Sequence, residues 1–114
     1  MVRWSDLSEE ERVAVNAIAN ALRVFAVQKK FGYVDKFANS YSTESVKHVL
    51  YELLRDLKSL ESRATVEEGR KYIIVDNVKI ALYVPSRSHV ETFVKLVEKD
   101  LAIAKLAAAL SLTY

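Results

Sequence analysis

Arg70-Lys71-Tyr72-Ile73-Ile74-Val75-Asp76-Asn77-Val78-Lys79-Ile80-Ala81-Leu82-Tyr83-Val84 is rich in β-branched and aromatic residues on both sides of Asp76-Asn77. Asp and Asn both tolerate left-handed backbone geometry, so this pair closes a two-residue hairpin turn, although neither matches glycine at the second position. The resulting register sets Val75 against Val78, Ile73 against Ile80 and Lys71 against Leu82. That face is apolar enough to lie on helices. The opposite face carries Ile74 near Lys79, Tyr72 near Ala81 and Arg70 near Tyr83. A two-residue slip would change all these pairings. Residues 63–71, charged and containing Gly69, lead into the hairpin.

The flanking segments read as helices. Ser8-Glu9-Glu10-Glu11 is a capping box, and three acids in the first turn suit the helix dipole. The helix is expected from Glu9 to Lys30, with Ala14, Ile18, Leu22 and Phe25 on one face, broadened by Val15, Ala19 and Ala26. Lys29 and Lys30 fall in its last turn, and Gly32 is the expected residue just past its end. A short helix covers Tyr33 to Ser40. After a break over 39–43, Ser42 or Thr43 caps a helix that runs to Leu60 or Glu61. Its apolar stripe is Val46, Leu50, Leu53, Leu57 and Leu60. Beyond Pro85, Ser88-His89-Val90-Glu91 is a second capping box, with Ser86 as an alternative cap. A single last helix is expected to run to Leu110, with a seam of Val90, Val94, Val97, Leu101, Ala104 and Ala108. After Asp100 its one charged residue is Lys105, so its end is either central to the core or covered by another subunit. Leu101, Ile103, Leu106 and Leu110 are therefore the candidate protein interface.

The expected fold is α+β and mainly α: a helical bundle with a small β-hairpin lobe. The 114 residues form a single domain. Its helical core is 9–62 and 88–111, with the hairpin inserted at 66–84. A winged helix, with Glu44–Leu60 as recognition helix and 70–84 as wing, is the alternative. The hydrophobic share of 51% and charged share of 28% are those of a folded soluble protein. The start, Met1-Val2-Arg3-Trp4-Ser5-Asp6, has no apolar run for a signal peptide, and no stretch is apolar over the length of a membrane span. A cytoplasmic location is expected. The absence of cysteine excludes disulfides, thiol nucleophiles and cysteine-ligated zinc, and it also fits a hot habitat.

No constellation carries catalysis. His48 and His89 stand on different elements without metal-ligand spacing, so structural or exposed roles suit both. Adjacent strand residues such as Glu67 and Glu68 point opposite ways and cannot converge on a substrate. Neither a phosphate loop nor a nucleophile elbow is present. The chain is expected to be no enzyme and to use no cofactor or metal.

The net charge of +2 is weak as a sign of nucleic-acid binding. The basic residues Arg63, Arg70, Lys71, Lys79 and Arg87 are nevertheless gathered around the hairpin. They can follow phosphates while Tyr72 or Tyr83 stacks on an unpaired base. Contact of this kind is directed at the backbone and sensitive to salt. Hairpin-edge lysines also discourage sheet aggregation, and tyrosines pack well between sheet and helix, so the same residues have a purely structural reading.

Phe31-Gly32-Tyr33-Val34-Asp35-Lys36-Phe37-Ala38-Asn39-Ser40, the 43–60 helix, the 70–84 hairpin and the Pro85-Ser86 helix start together resemble the small subunit of archaeal type I-A CRISPR interference (Cascade) complexes. The likeness lies in order and length over residues 10–110. It implies a non-catalytic subunit of an antiviral ribonucleoprotein, with a helical bundle and a small β part. It also implies association with a large backbone protein and guide RNA, help in holding the target or displaced strand, and several copies lined up along the complex. Guide RNA or single-stranded DNA, other protein subunits and self-association are thus the expected partners. The competing functions are a protein-binding scaffold using the apolar last helix, and a winged-helix transcription regulator.

Overall fold

The computed structural model describes residues 3–113. Met1 and Val2, read above against a leader, and Tyr114, which closes the expected domain, lie outside them. Five helices and a three-stranded antiparallel sheet follow a short 3-10 turn at Trp4–Asp6. The class is α+β, mainly α.

α1, Glu9–Ala26, starts as the capping box requires. The Glu11 amide donates to Ser8 Oγ at 3.2 Å, and the Ser8 amide donates to Glu11 Oε1 at 2.9 Å. The backbone amide of Ser8, donating to the carboxylate, holds the Glu11 pKa below its ordinary value. α1 is buried on more than the one expected face. Ala17, Ala21 and Val24 are covered as well as Ile18, Leu22 and Phe25. It is the central helix, packed chiefly on the two carboxyl-terminal helices.

α1 ends four residues earlier than the expected Lys30. The helix stops at Ala26, and Lys29 takes the left-handed conformation at φ 63°. The Lys30 amide donates to Phe25 O and the Lys29 amide to Ala26 O, each at 3.0 Å. That hydrogen-bond pair is the Schellman closure, built here on lysine. Gly32 instead opens α2, Gly32–Ala38.

α3, Thr43–Glu61, is capped by Ser42, whose hydroxyl accepts from the Ser45 amide at 3.1 Å. Val46, Leu50, Leu53 and Leu57 are buried as the stripe requires. α2 lies against α3 and the last helix. Phe37 of α2 meets Phe93 edge-on, ring centroids 6.2 Å apart, and neither ring is exposed.

The sheet has a strand that the sequence reading missed. β1 (Thr65–Glu67), β2 (Arg70–Val75) and β3 (Val78–Ala81) pair in that order. The β2–β3 register sets Val75 opposite Val78 and Ile73 opposite Ile80, as the hairpin reading has it. Asp76 and Asn77 both have positive φ, and so do Glu68 and Gly69. Each pair makes a two-residue turn of the type that follows strand twist. Ile73 and Ile80 are buried and seat the sheet on the helices.

The expected single last helix is two. α4, Arg87–Lys99, is capped by Ser86 rather than Ser88: the Ser86 hydroxyl accepts from the His89 amide at 3.3 Å. Asp100 is extended, at φ −150° and ψ 110°. Its Oδ1 accepts from the Ala102 amide at 3.0 Å and starts α5, Ala102–Ser111. α5 is central, resting on α1 and α2. Its buried alanines Ala104, Ala107 and Ala108 allow that close approach.

Candidate nucleic-acid interface

Alternation along the strands sorts the candidate residues. Arg70, Tyr72 and Ile74 of β2 share the outer face with Lys79 and Ala81 of β3 and with Thr65 and Glu67 of β1. Tyr83 continues this face beyond β3. Lys79 Nζ lies 4.6 Å from the Tyr72 ring centroid and also pairs with Glu67 on the far strand. The ammonium therefore spans β2, with the tyrosine ring beneath it. Ile74 is 60% exposed here and Tyr83 36%.

The remaining candidates stand elsewhere. Lys71 is on the opposite face, where it pairs with Glu61 at the end of α3 at 3.0 Å. Arg63 is exposed in the turn between α3 and β1. Arg87, at the start of α4, pairs with Glu91 at 3.3 Å. These are exposed pairs, each worth about 0–1 kcal/mol, and a phosphate can replace the carboxylate in any of them. Arg63 and Arg70 have no carboxylate partner among the described residues.

Two shallow hollows join Arg70 and Lys71 to Arg87, and Arg63 lines neither. The first, about 470 Å³, is lined by Arg70, Lys71, Tyr83 and Val84 together with Glu61. The second, about 490 Å³, is lined by Tyr51, Arg55, Lys58, Val84 and Arg87. Val84 borders both, so they adjoin. The cations thus run from the strand ends, past Val84, to the exposed side of α3, with Tyr83 and Tyr51 interleaved. Tyr51, Arg55 and Lys58 belong to this track although they were not among the contact residues expected from the sequence. Their spacing of four and three along α3 was the available signal.

The last-helix candidates face inward. Ile103 is buried in the chain's own core, and Leu101, Leu106 and Leu110 pack partly against it. The histidines are apart: His48 Nε2 lies 2.9 Å from Glu52 Oε1, and the His89 amide serves the Ser86 cap. Glu67 is a strand residue and Glu68 a turn residue, so they do not converge. Tyr33 donates to Asp56 from the end of the bundle. Burial, reinforced by that hydrogen bond, raises its pKa above the ordinary tyrosine value. No helix of the described residues is long and apolar enough to cross a membrane.

A family model described as CRISPR-associated protein (Cas_Csa5) matches residues 21–114. The match takes in the end of α1, all later helices and the whole sheet. No curated protein matches the chain.

Proposed function

Because the chain belongs to the Cas_Csa5 family of CRISPR-associated proteins, the small subunit of type I-A Cascade, we propose that it is a non-catalytic subunit that holds single-stranded nucleic acid within that complex. One observation carries the nucleic-acid part. The outer sheet face and the two adjoining hollows gather Arg70, Lys79, Arg87, Arg55 and Lys58 with Tyr72, Tyr83 and Tyr51. Cations that follow a phosphate chain, with rings between them on which bases stack, give binding that is strong at low salt and indifferent to sequence. Contact with the target or displaced strand, or with guide RNA, is the form this binding takes in the complex, and it assists assembly there.

The winged-helix reading is the weaker one. The exposed side of α3 carries its own acids, with Glu52 beside His48 and Lys36, and Glu44 beside Lys47. Those carboxylates oppose insertion into a major groove.

The test is fluorescence anisotropy with a labelled single-stranded DNA of mixed sequence, titrated over a range of salt. Combined Arg70→Ala and Lys79→Ala should weaken binding roughly tenfold at low salt and flatten the salt slope by about one to two counterions. Identical affinity and slope for the double variant and the unaltered chain would refute the assignment.

A further inference from the structure

A second surface lies on the other side of β3. The sheet order leaves one edge of this strand unpaired. Beside that edge is a groove of about 420 Å³, whose lining includes Val78, Lys79, Ile80 and Ala81 in succession, with α1 as the far wall. Successive strand residues point to opposite faces, so all four can border one groove only where the strand presents its edge. The hydrogen-bond parity is fixed. The Leu82 amide donates to Lys71 O at 2.9 Å, so the backbones of Leu82, Ile80 and Val78 turn toward β2. Those of Lys79, Ala81 and Tyr83 turn away from it, into the groove.

The opposite wall supplies Val24 and Val27, which are apolar, and Arg23. Arg23 is anchored at both ends of its guanidinium: one nitrogen donates to Asn20, and Nη2 donates to Leu110 O at 2.8 Å. Its Nε is buried and has no acceptor among the described residues. Arg23 and Lys79 are the charged residues of the lining, and no carboxylate is among them.

We propose that this groove receives an extended acidic peptide segment of a partner protein, which adds to β3 as a fourth strand. A peptide backbone offers both donors and acceptors at strand spacing and so satisfies the N–H and C=O groups alike. A phosphate chain offers acceptors only and would set its charge against the edge carbonyls. A second copy adding its own Val78–Ala81 would bring a lysine and no carboxylate to Arg23. Apolar side chains of the incoming strand meet Val24 and Val27, and a carboxylate meets Arg23. This surface shares Lys79 and Tyr83 with the proposed nucleic-acid track but uses the edge of β3 rather than its outer face, and its test does not depend on that reading.

The experiment uses amide hydrogen exchange and isothermal calorimetry on the full chain. The probe is an acetylated, amidated peptide of alternating valine and glutamate. Saturating peptide should slow exchange at the Lys79, Ala81 and Tyr83 amides, while the Val78 and Ile80 amides, already bonded to β2, stay as they were. Replacing glutamate by glutamine in the peptide should weaken binding roughly tenfold, the size of a lost charge-assisted pair. Arg23→Gln should remove that preference. Ala81→Pro deletes an amide that the hairpin does not use and should abolish binding with the fold intact by circular dichroism. The proposal is overturned by unchanged exchange at these amides, or by equal binding of a lysine version of the peptide. It is overturned equally if the amides are protected by raising the protein concentration alone, or by single-stranded DNA instead of peptide.

Discussion

Glu67 decides how much of the outer sheet face is open to an anion. Its carboxylate holds the Lys79 ammonium over the Tyr72 ring, so it occupies the place where a phosphate would sit above a stacking platform. Glu67→Gln should therefore tighten binding of single-stranded DNA by about two- to fivefold at low salt, the scale of one exposed ion pair. Glu68→Gln removes the same formal charge from the adjoining turn, without touching Lys79, and is the control. An equal gain from both variants would mean that only net charge matters. The alternation 70, 72, 74 and 79, 81 is legible along the chain, so the grouping of Arg70, Tyr72 and Lys79 follows from strand periodicity alone. The Glu67 contact does not, because it depends on β1, a three-residue strand too short to announce itself.

At the scale of elements, backbone conformation separates the two glycines. Gly69 has φ 77° in the β1–β2 turn, whereas Gly32 opens α2, and neither has a neighbour that a methyl group would strike. Gly69→Ala should cost about 1–2 kcal/mol, since only the left-handed backbone is at stake. Gly32→Ala should be neutral or slightly stabilising, because alanine loses less chain entropy than glycine. Urea denaturation of both variants checks this, and equal losses would contradict it. Glycine was the obvious residue to place past the end of α1. Lysine takes that role instead because the Phe25 and Ala26 carbonyls each gain a hydrogen bond when Lys29 turns left-handed. Two hydrogen bonds of ordinary strength, about 1 kcal/mol each, offset the roughly 1–2 kcal/mol cost of that conformation for a residue with a Cβ. The division of the last helix likewise rests on one side chain, Asp100, whose carboxylate meets the Ala102 amide. An aspartate before an apolar run was a legible cap, but the unbroken seam through Leu101 argued for continuity.

The whole molecule is held by one core in which α1 is surrounded, and Phe93 with Phe37 ties α4 to α2. Phe93→Ala should lower stability by about 3–5 kcal/mol, a large part of the 5–15 kcal/mol usual for a domain. Thermal melting checks it, and a loss under 1 kcal/mol would show that this ring is not where the helices are joined. The sequence by itself determined the Ser8 capping box of α1, the stripe on α3, the hairpin register and the local concentration of cations. All of these depend on residues a few places apart, through backbone hydrogen bonds and side-chain periodicity. Only tertiary structure decided that α5 packs on α1 and α2, that Lys71 and Lys79 face opposite ways with different acids, and that Arg87 shares a hollow with Arg55 and Lys58 beside Val84. Those outcomes depend on which apolar surfaces bury one another. Burial is non-directional and set by whole elements together, so no local pattern encodes it.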